Sequence, residues 1–171
     1  MITQDRLREL FFYKNGNLIW KISKGKARAG CIAGSVDNKG YISIGIDGKY
    51  IGGHRAVFLY HYGYLPKIVD HIDGNPLNNN IDNLRAADFV KNGANSKKQK
   101  SHKNNRTTSK WKGVSKQVGD YKYCATITKN GKNYYLGRFE CEDTAAMAYN
   151  EKAVELFGKF SSLNISSLNY D

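Results

Sequence analysis

Cysteine is scarce and badly placed for cross-linking. Cys31, Cys124 and Cys141 are odd in number, widely spaced and nowhere arranged as Cys-x-x-Cys, so neither a disulfide framework nor a cysteine-rich zinc finger fits. They read as reduced, partly buried thiols. Long apolar runs are missing too. The first eight residues have no apolar core of signal-peptide length, and no later run approaches the roughly 20 residues that cross a bilayer. The chain therefore reads as soluble and cytoplasmic, with no membrane partner. Acidic side chains are the third shortage: 15 Asp and Glu face 27 Lys and Arg, a net charge of +12. Such an excess suits a polyphosphate or an anionic surface, and nucleic acid is the first suspect.

The 171 residues allow one domain or two small ones. Residues 1–10 suit a short helix with Leu7 and Leu10 on its apolar side. Phe11-Phe12-Tyr13, the turn Asn15-Gly16 and the apolar stretch 18–22 read as a hairpin with a type I′ turn. Alternation returns at 41–46, where Ile42, Ile44 and Ile46 share one strand face, followed by an Asp47-Gly48 turn and Lys49-Tyr50-Ile51. This front section predicts a small antiparallel sheet. Residues 54–62 change to helical rhythm and stop at Gly63.

Everything in the front half leads to Ile68-Val69-Asp70-His71-Ile72-Asp73-Gly74-Asn75. The apolar lead predicts a strand ending in a carboxylate and an imidazole. A polar loop over 73–82, with Pro76 and Asn78-Asn79-Asn80, is too poor in apolar residues for a strand or helix. Leu84-Arg85-Ala86-Ala87 predicts a second strand, and Asp88 is a suitable N-cap for a helix through Phe89, Val90 and Asn92. The oxygen donors of Asp70 and Asn92 suit Mg²⁺ or Mn²⁺ rather than zinc. An imidazole, whose ordinary pKa lies near 6.5, can take a proton from water at neutral pH.

Asp70-His71-x-Asp73-Gly74-Asn75, then Asn83-Leu84-Arg85, then Asn92 resembles the ββα-metal (His-Me finger) motif of HNH endonucleases, especially the phage and intron homing type. His71 to Asn83 is twelve positions and Asn83 to Asn92 is nine, spacings that suit the family. The resemblance implies that His71 is the general base, that Asp70 and Asn92 hold one divalent ion, Mg²⁺ or Mn²⁺, per active site, and that Asn83 pins the loop that orients His71. His54-Arg55 resembles a pair often found upstream of this motif, with no assigned role. The chain departs from the pattern at Asn92, a common variant of the third motif letter, at Ala86-Ala87, where a bulkier pair is usual, and at Lys91, where many relatives have Glu.

From 97 to 116 there are eight basic residues, Lys97, Lys98, Lys100, Lys103, Arg106, Lys110, Lys112 and Lys116, and no acidic one. Such a run serves as a solvated linker and also suits the tracking of phosphates. Beyond it, 111–114, 121–129 and 133–139 read as three strands, the last two joined by Asn130-Gly131. Glu142-Asp143-Thr144 opens an amphipathic helix that ends at Gly158. Trp111-Lys112-Gly113-Val114, Tyr135-Leu136-Gly137-Arg138-Phe139 and the helix from Asp143 to Asn150 make this segment resemble the plant ethylene-response-factor (Apetala-type) DNA-binding domain. That resemblance implies a sheet lying in the major groove, with Lys112, Lys116, Lys122, Tyr135 and Arg138 among the DNA contacts. Ser115, Thr126 and Thr128 stand where plant members often carry Arg or Glu, so base preference does not transfer.

The expectation is an α+β protein. Residues 1–96 form a ββα-metal HNH nuclease domain with its motif core at 68–96, preceded by a small antiparallel sheet. Residues 97–108 are a basic linker, and 109–165 form a three-stranded sheet packed on one helix. The partner expected is double-stranded DNA, with no obligate protein partner. The expected activity is metal-dependent hydrolysis of phosphodiester bonds. The rival is a non-catalytic DNA-binding regulator that keeps the nuclease fold as a scaffold. RNA binding is less favoured, since no stacking platform of the usual RNA modules is visible.

Overall fold

The computed structural model describes residues 1–23, 25, 27–96, 109–116 and 119–164. The chain divides into two compact units, Met1–Asp88 and Phe89–Asp171. Lys97, Lys98, Lys100, Lys103 and Arg106, and with them the linker at 97–108 and position 165, lie outside the described residues.

The first unit opens with α1 (Gln4–Leu10), whose N-cap Thr3 accepts a hydrogen bond from the Arg6 amide through its hydroxyl. Leu7 and Leu10, one helical turn apart, are both buried. Strands β1 (Phe11–Lys14) and β2 (Asn17–Trp20) pair antiparallel across a turn in which Asn15 and Gly16 both have positive φ, 47° and 81°, as a type I′ turn requires. Then β3 (Ser35–Val36), β4 (Ile42–Ile46) and β5 (Lys49–Gly52) form a second sheet in that order. The front section is thus two sheets rather than one. Ahead of β3 the chain returns to β2, through the isolated Ile19–Ile32 bridge and through backbone hydrogen bonds from Trp20 to the Cys31 carbonyl, from Gly30 to the Trp20 carbonyl and from Ala33 to the Leu18 carbonyl. Helix α2 (Gly53–Tyr62) follows and is stopped by Gly63 in the left-handed conformation at φ 75°.

α2 buries four consecutive residues, Ala56 to Leu59, so it is enclosed on more than one side. Its partners in the core include Leu7, Leu10, Phe11, Leu18, Ile44, Ile46, Val69 and Leu84. The last two belong to β6 (Ile68–His71) and β7 (Leu84–Ala87), an antiparallel pair reached through a one-turn 3-10 helix at Ile81–Asn83. The hairpin that carries the Asp-His pair is therefore anchored in the same core as α1 and the front sheets.

The second unit contains α3 (Phe89–Asn95), β8 (Val114–Lys116), β9 (Tyr123–Lys129), β10 (Lys132–Phe139) and α4 (Glu142–Phe157). The sheet runs in the order β10-β9-β8, with α4 against it. Val114, Ala125, Ala145 and Ala146 make one part of the core, and Ile127, Tyr149 and Ala153 another. The small residues on α4 let the helix approach the strands closely. β8 starts at 114 rather than 111. Gly113 has φ 71°, and a Cβ there would lie 2.2 Å from a ring carbon of Tyr149, so the chain must turn before it can extend. The cysteines are free thiols, and Cys31 and Cys141 are exposed rather than partly buried: one follows the turn at Gly30, the other precedes α4. No helix among the described residues is long and apolar enough to cross a membrane.

Candidate active site

The β6–β7 register decides the first contact. Asp70 stands opposite Arg85, and His71 opposite Leu84. Arg85 donates from Nε to Asp70 Oδ2 at 2.8 Å, and its Nη2 lies 2.8 Å from the same oxygen. Both side chains are nearly enclosed, 7% and 11% exposed, so this is a buried ion pair in which neither member can be removed without leaving the other desolvated and uncompensated. β6 runs through both Asp70 and His71.

His71 is also buried, and its Nε2 lies 2.8 Å from the side-chain oxygen of Asn79. Asn79 belongs to the asparagine loop, and the loop is stitched by its own side chains. Asn83 donates from Nδ2 to Asp73 Oδ1 at 2.9 Å and to the Asn78 carbonyl at 2.8 Å, while its Oδ1 accepts from the Asp73 amide at 3.1 Å. Its carbonyl accepts from the Ile72 amide at 2.9 Å. Asn83 thus ties the beginning of the loop to its end. Asp73 in turn accepts from the Asn75 amide and from Asn78 Nδ2, each at 2.8 Å. Burial works against its charged form, but the bonds from Asn75, Asn78 and Asn83 outweigh it and hold the carboxyl below its usual range.

A third ring closes on His71 from α2. His54, in the first turn of that helix, has its ring centre 5.2 Å from that of His71, and Tyr41 lies 5.5 Å from His54 and 6.2 Å from His71. His54 Nδ1 is buried with no hydrogen-bond partner among the described residues. Burial foremost, then the nearby His71 and Arg55, lower the pKa of His54 to about 4, so its ring is neutral at physiological pH. Among the described residues no three His, Cys, Asp or Glu side chains converge into a ready-made metal cage. At the strand end Asp70 offers a hard carboxylate oxygen, already engaged by Arg85; a donor of this type suits Mg²⁺, an ion commonly held by one or two protein oxygens while water and substrate phosphate complete its shell.

Of the residues expected to act, Asp70, His71 and Asn83 come together on the β6–β7 hairpin and its loop. Asn92 lies on α3 in the second unit. Asn79 and Arg85 are the partners to which the sequence reading gave no role, although both were named within its motif and loop. Arg85 becomes visible only once the hairpin register is known, and nothing distinguishes Asn79 from its two asparagine neighbours in the sequence.

In the second unit the basic side chains divide by occupation. The Lys112 ammonium donates to the carbonyls of Ala94 at 2.8 Å, Ser96 at 2.6 Å and Gly93 at 3.4 Å. It therefore satisfies the C-terminal end of α3, and burial lowers its pKa. Arg138 is ion-paired with Asp120. Lys110 lies over the ring of Trp111 and Lys116 over that of Tyr123, 4.6 and 4.8 Å from the ring centres. Lys122 is 3.9 Å from the exposed Glu140, and Tyr135 is 64% exposed.

Comparison with known proteins gives the same region a family. A family model described as HNH endonuclease matches residues 52–88, which run from the start of α2 through β7. The chain is 38% identical over 114 residues to an uncharacterized HNH endonuclease of Acanthamoeba polyphaga mimivirus, a match covering 65% of this chain and 56% of that protein. It therefore spans little more than half of the mimivirus relative. It is also 37% identical over 110 residues to Protein 3.8 of Escherichia phage T7, covering 63% of this chain and 86% of that protein. No solved structure matches.

Proposed function

From the match of residues 52–88 to the HNH endonuclease family we propose that the chain is a metal-dependent endonuclease of the site-specific homing type, hydrolysing phosphodiester bonds in double-stranded DNA. The observation that carries this reading is the buried His71 held through Nε2 by an amide oxygen, next in sequence to a carboxylate, inside the segment that matches the family. An imidazole so held is oriented before substrate arrives, which is what a general base needs. In this mechanism His71 takes a proton from the water that attacks phosphorus, and the loop pinned by Asn83 keeps the ring in place. Asp70 and Asn92 are the oxygen donors assigned to a divalent cation, Mg²⁺ or Mn²⁺, which when bound stabilises charge developing on the phosphate and on the leaving oxygen. The products are 5′-phosphate and 3′-hydroxyl ends.

The second unit is assigned the role of an ethylene-response-factor-like DNA-binding module. Its three-stranded sheet on one long helix supports that reading. Lys110, Lys116, Lys122, Tyr135 and Arg138 are the side chains offered to phosphates and groove. Lys112, expected from resemblance to do the same, is committed to α3.

The buried Asp70–Arg85 pair favours the second reading, a DNA-binding regulator, because an Arg already neutralises the carboxylate that a cation would use. Supercoiled plasmid incubated with Mg²⁺ or Mn²⁺ separates the two. We expect nicked or linear product from the wild-type chain, and a loss of roughly 100- to 10,000-fold in rate for His71→Ala with DNA binding retained. Intact plasmid and intact genomic DNA with either metal, from folded protein that still binds, decides for the regulator.

A further inference from the structure

We propose that Asn79 is a positioning residue for His71: its side-chain oxygen takes the hydrogen bond of the ring's Nε2–H and so leaves Nδ1 as the basic nitrogen, while the N-terminal hairpin holds Asn79 in place. The inference deepens the nuclease reading and rests on it only for the catalytic consequence.

An amide oxygen has no proton to give, so the 2.8 Å contact between Asn79 Oδ1 and His71 Nε2 requires the proton to be on Nε2. In the neutral ring the lone pair is then on Nδ1. Asn79 is 2% exposed and His71 6%. Bulk water is therefore a poor substitute partner for either group, and the buried donor left by losing the bond carries a desolvation cost.

Two elements, α2 and the β1–β2 hairpin, pack around Asn79 and its loop. A Cβ at Gly53, the first residue of α2, would lie 3.1 Å from Asn79 Nδ2 and 3.0 Å from Ile42 Cβ, so the missing side chain is what lets the helix and the amide share this space. A Cβ at Gly16, the tip of the β1–β2 hairpin, would lie 2.8 Å from the Asn80 amide nitrogen and 3.0 Å from the Asn79 carbonyl carbon. The hairpin tip is thus pressed against the backbone of the residue that holds the base. Tyr13, on the same hairpin, accepts from the Ile81 amide at 3.0 Å. A two-residue turn more than 60 positions upstream thereby fixes the loop that fixes the imidazole.

The test reads the ring directly. Nitrogen-15 NMR of the full chain, at a mildly alkaline pH that keeps imidazole neutral, reports which nitrogen of His71 is protonated through chemical shift and one-bond N–H coupling, with His71→Gln for assignment. We expect an Nε2–H ring in the wild type. Asn79→Asp, which keeps an acceptor at the same place, should preserve it. Asn79→Leu, of similar shape without the acceptor, should move the ring toward a mixture of tautomers. In plasmid cleavage Asn79→Leu should lower kcat roughly 10- to 100-fold, the range for loss of a group that orients a functional ligand, with KM little changed, and Asn79→Asp should recover most of it. A wild-type ring protonated on Nδ1 overturns the proposal, as does a folded Asn79→Leu chain whose tautomer is unchanged. Because the wild-type spectrum needs no catalysis, an Nε2–H ring in a chain that fails to cut DNA supports the positioning and removes only the nuclease reading.

Discussion

His54 shows how far one side chain's behaviour depends on what folds around it. In the unfolded chain it titrates near 6.5, and in the folded protein, buried beside His71 and Arg55, near 4. Between those values the unfolded state binds more protons, so stability rises with pH across that window and is lost as pH falls from about 6.5 toward 4. The difference corresponds to about 3 kcal/mol. Asp73 acts in the same direction, since its carboxyl is held below the usual range. Urea midpoints at pH 7.5 and 4.5 should therefore differ strongly for the wild type, and His54→Phe, with a ring that cannot titrate, should narrow the gap. An unchanged gap would place the acid sensitivity elsewhere. Lys112 makes the complementary point: an apparent DNA contact by sequence is structurally a cap on α3.

The β1–β2 hairpin looks like packing until its tip is located. Gly16 combines a φ of 81° with backbone of Asn79 and Asn80 inside 3.1 Å of any added Cβ, so Gly16→Ala meets conformational strain and a steric clash together. A loss of about 1–3 kcal/mol is expected in chemical denaturation of the full chain. Because the clash falls on the loop backbone, the His71 ring resonances should shift as well. Destabilisation with those resonances unmoved would show that the hairpin supports the core but not the base. At the first residue of α2 the close approach alone applies: a Cβ on Gly53 would lie 3.0 Å from Ile42 Cβ and 3.1 Å from Asn79 Nδ2.

For the molecule as a whole, the net charge of +12 predicts DNA affinity that falls steeply with salt, with a slope of log K against log salt of about −0.9 per phosphate neutralised. Fluorescence anisotropy over a salt series should show that slope flattening by about one in Lys116→Ala. Lys112→Ala should leave it unchanged and instead lower the melting temperature, because its ammonium is occupied by carbonyls of α3. A flattened slope in Lys112→Ala would return that lysine to the DNA surface.

Much of this was legible in order. Alternation at Ile42, Ile44 and Ile46, the Asn15-Gly16, Asp47-Gly48 and Asn130-Gly131 turns, and the stop at Gly63 are local signals, and local backbone preference is enough to carry them. The spacing of Asp70, His71 and Asn83 resembled the family whose model matches residues 52–88. What chain order could not show is who faces whom. The Asp70–Arg85 pair depends on strand register, the Asn79–His71 bond on how one loop folds back, and the His54–His71 approach on the packing of α2. By itself the sequence determined the elements and the residue types available for chemistry, since these follow from short-range periodicity and side-chain identity. Only the tertiary structure decided which of three adjacent asparagines holds the base, because that choice belongs to contacts made across more than 60 residues of chain.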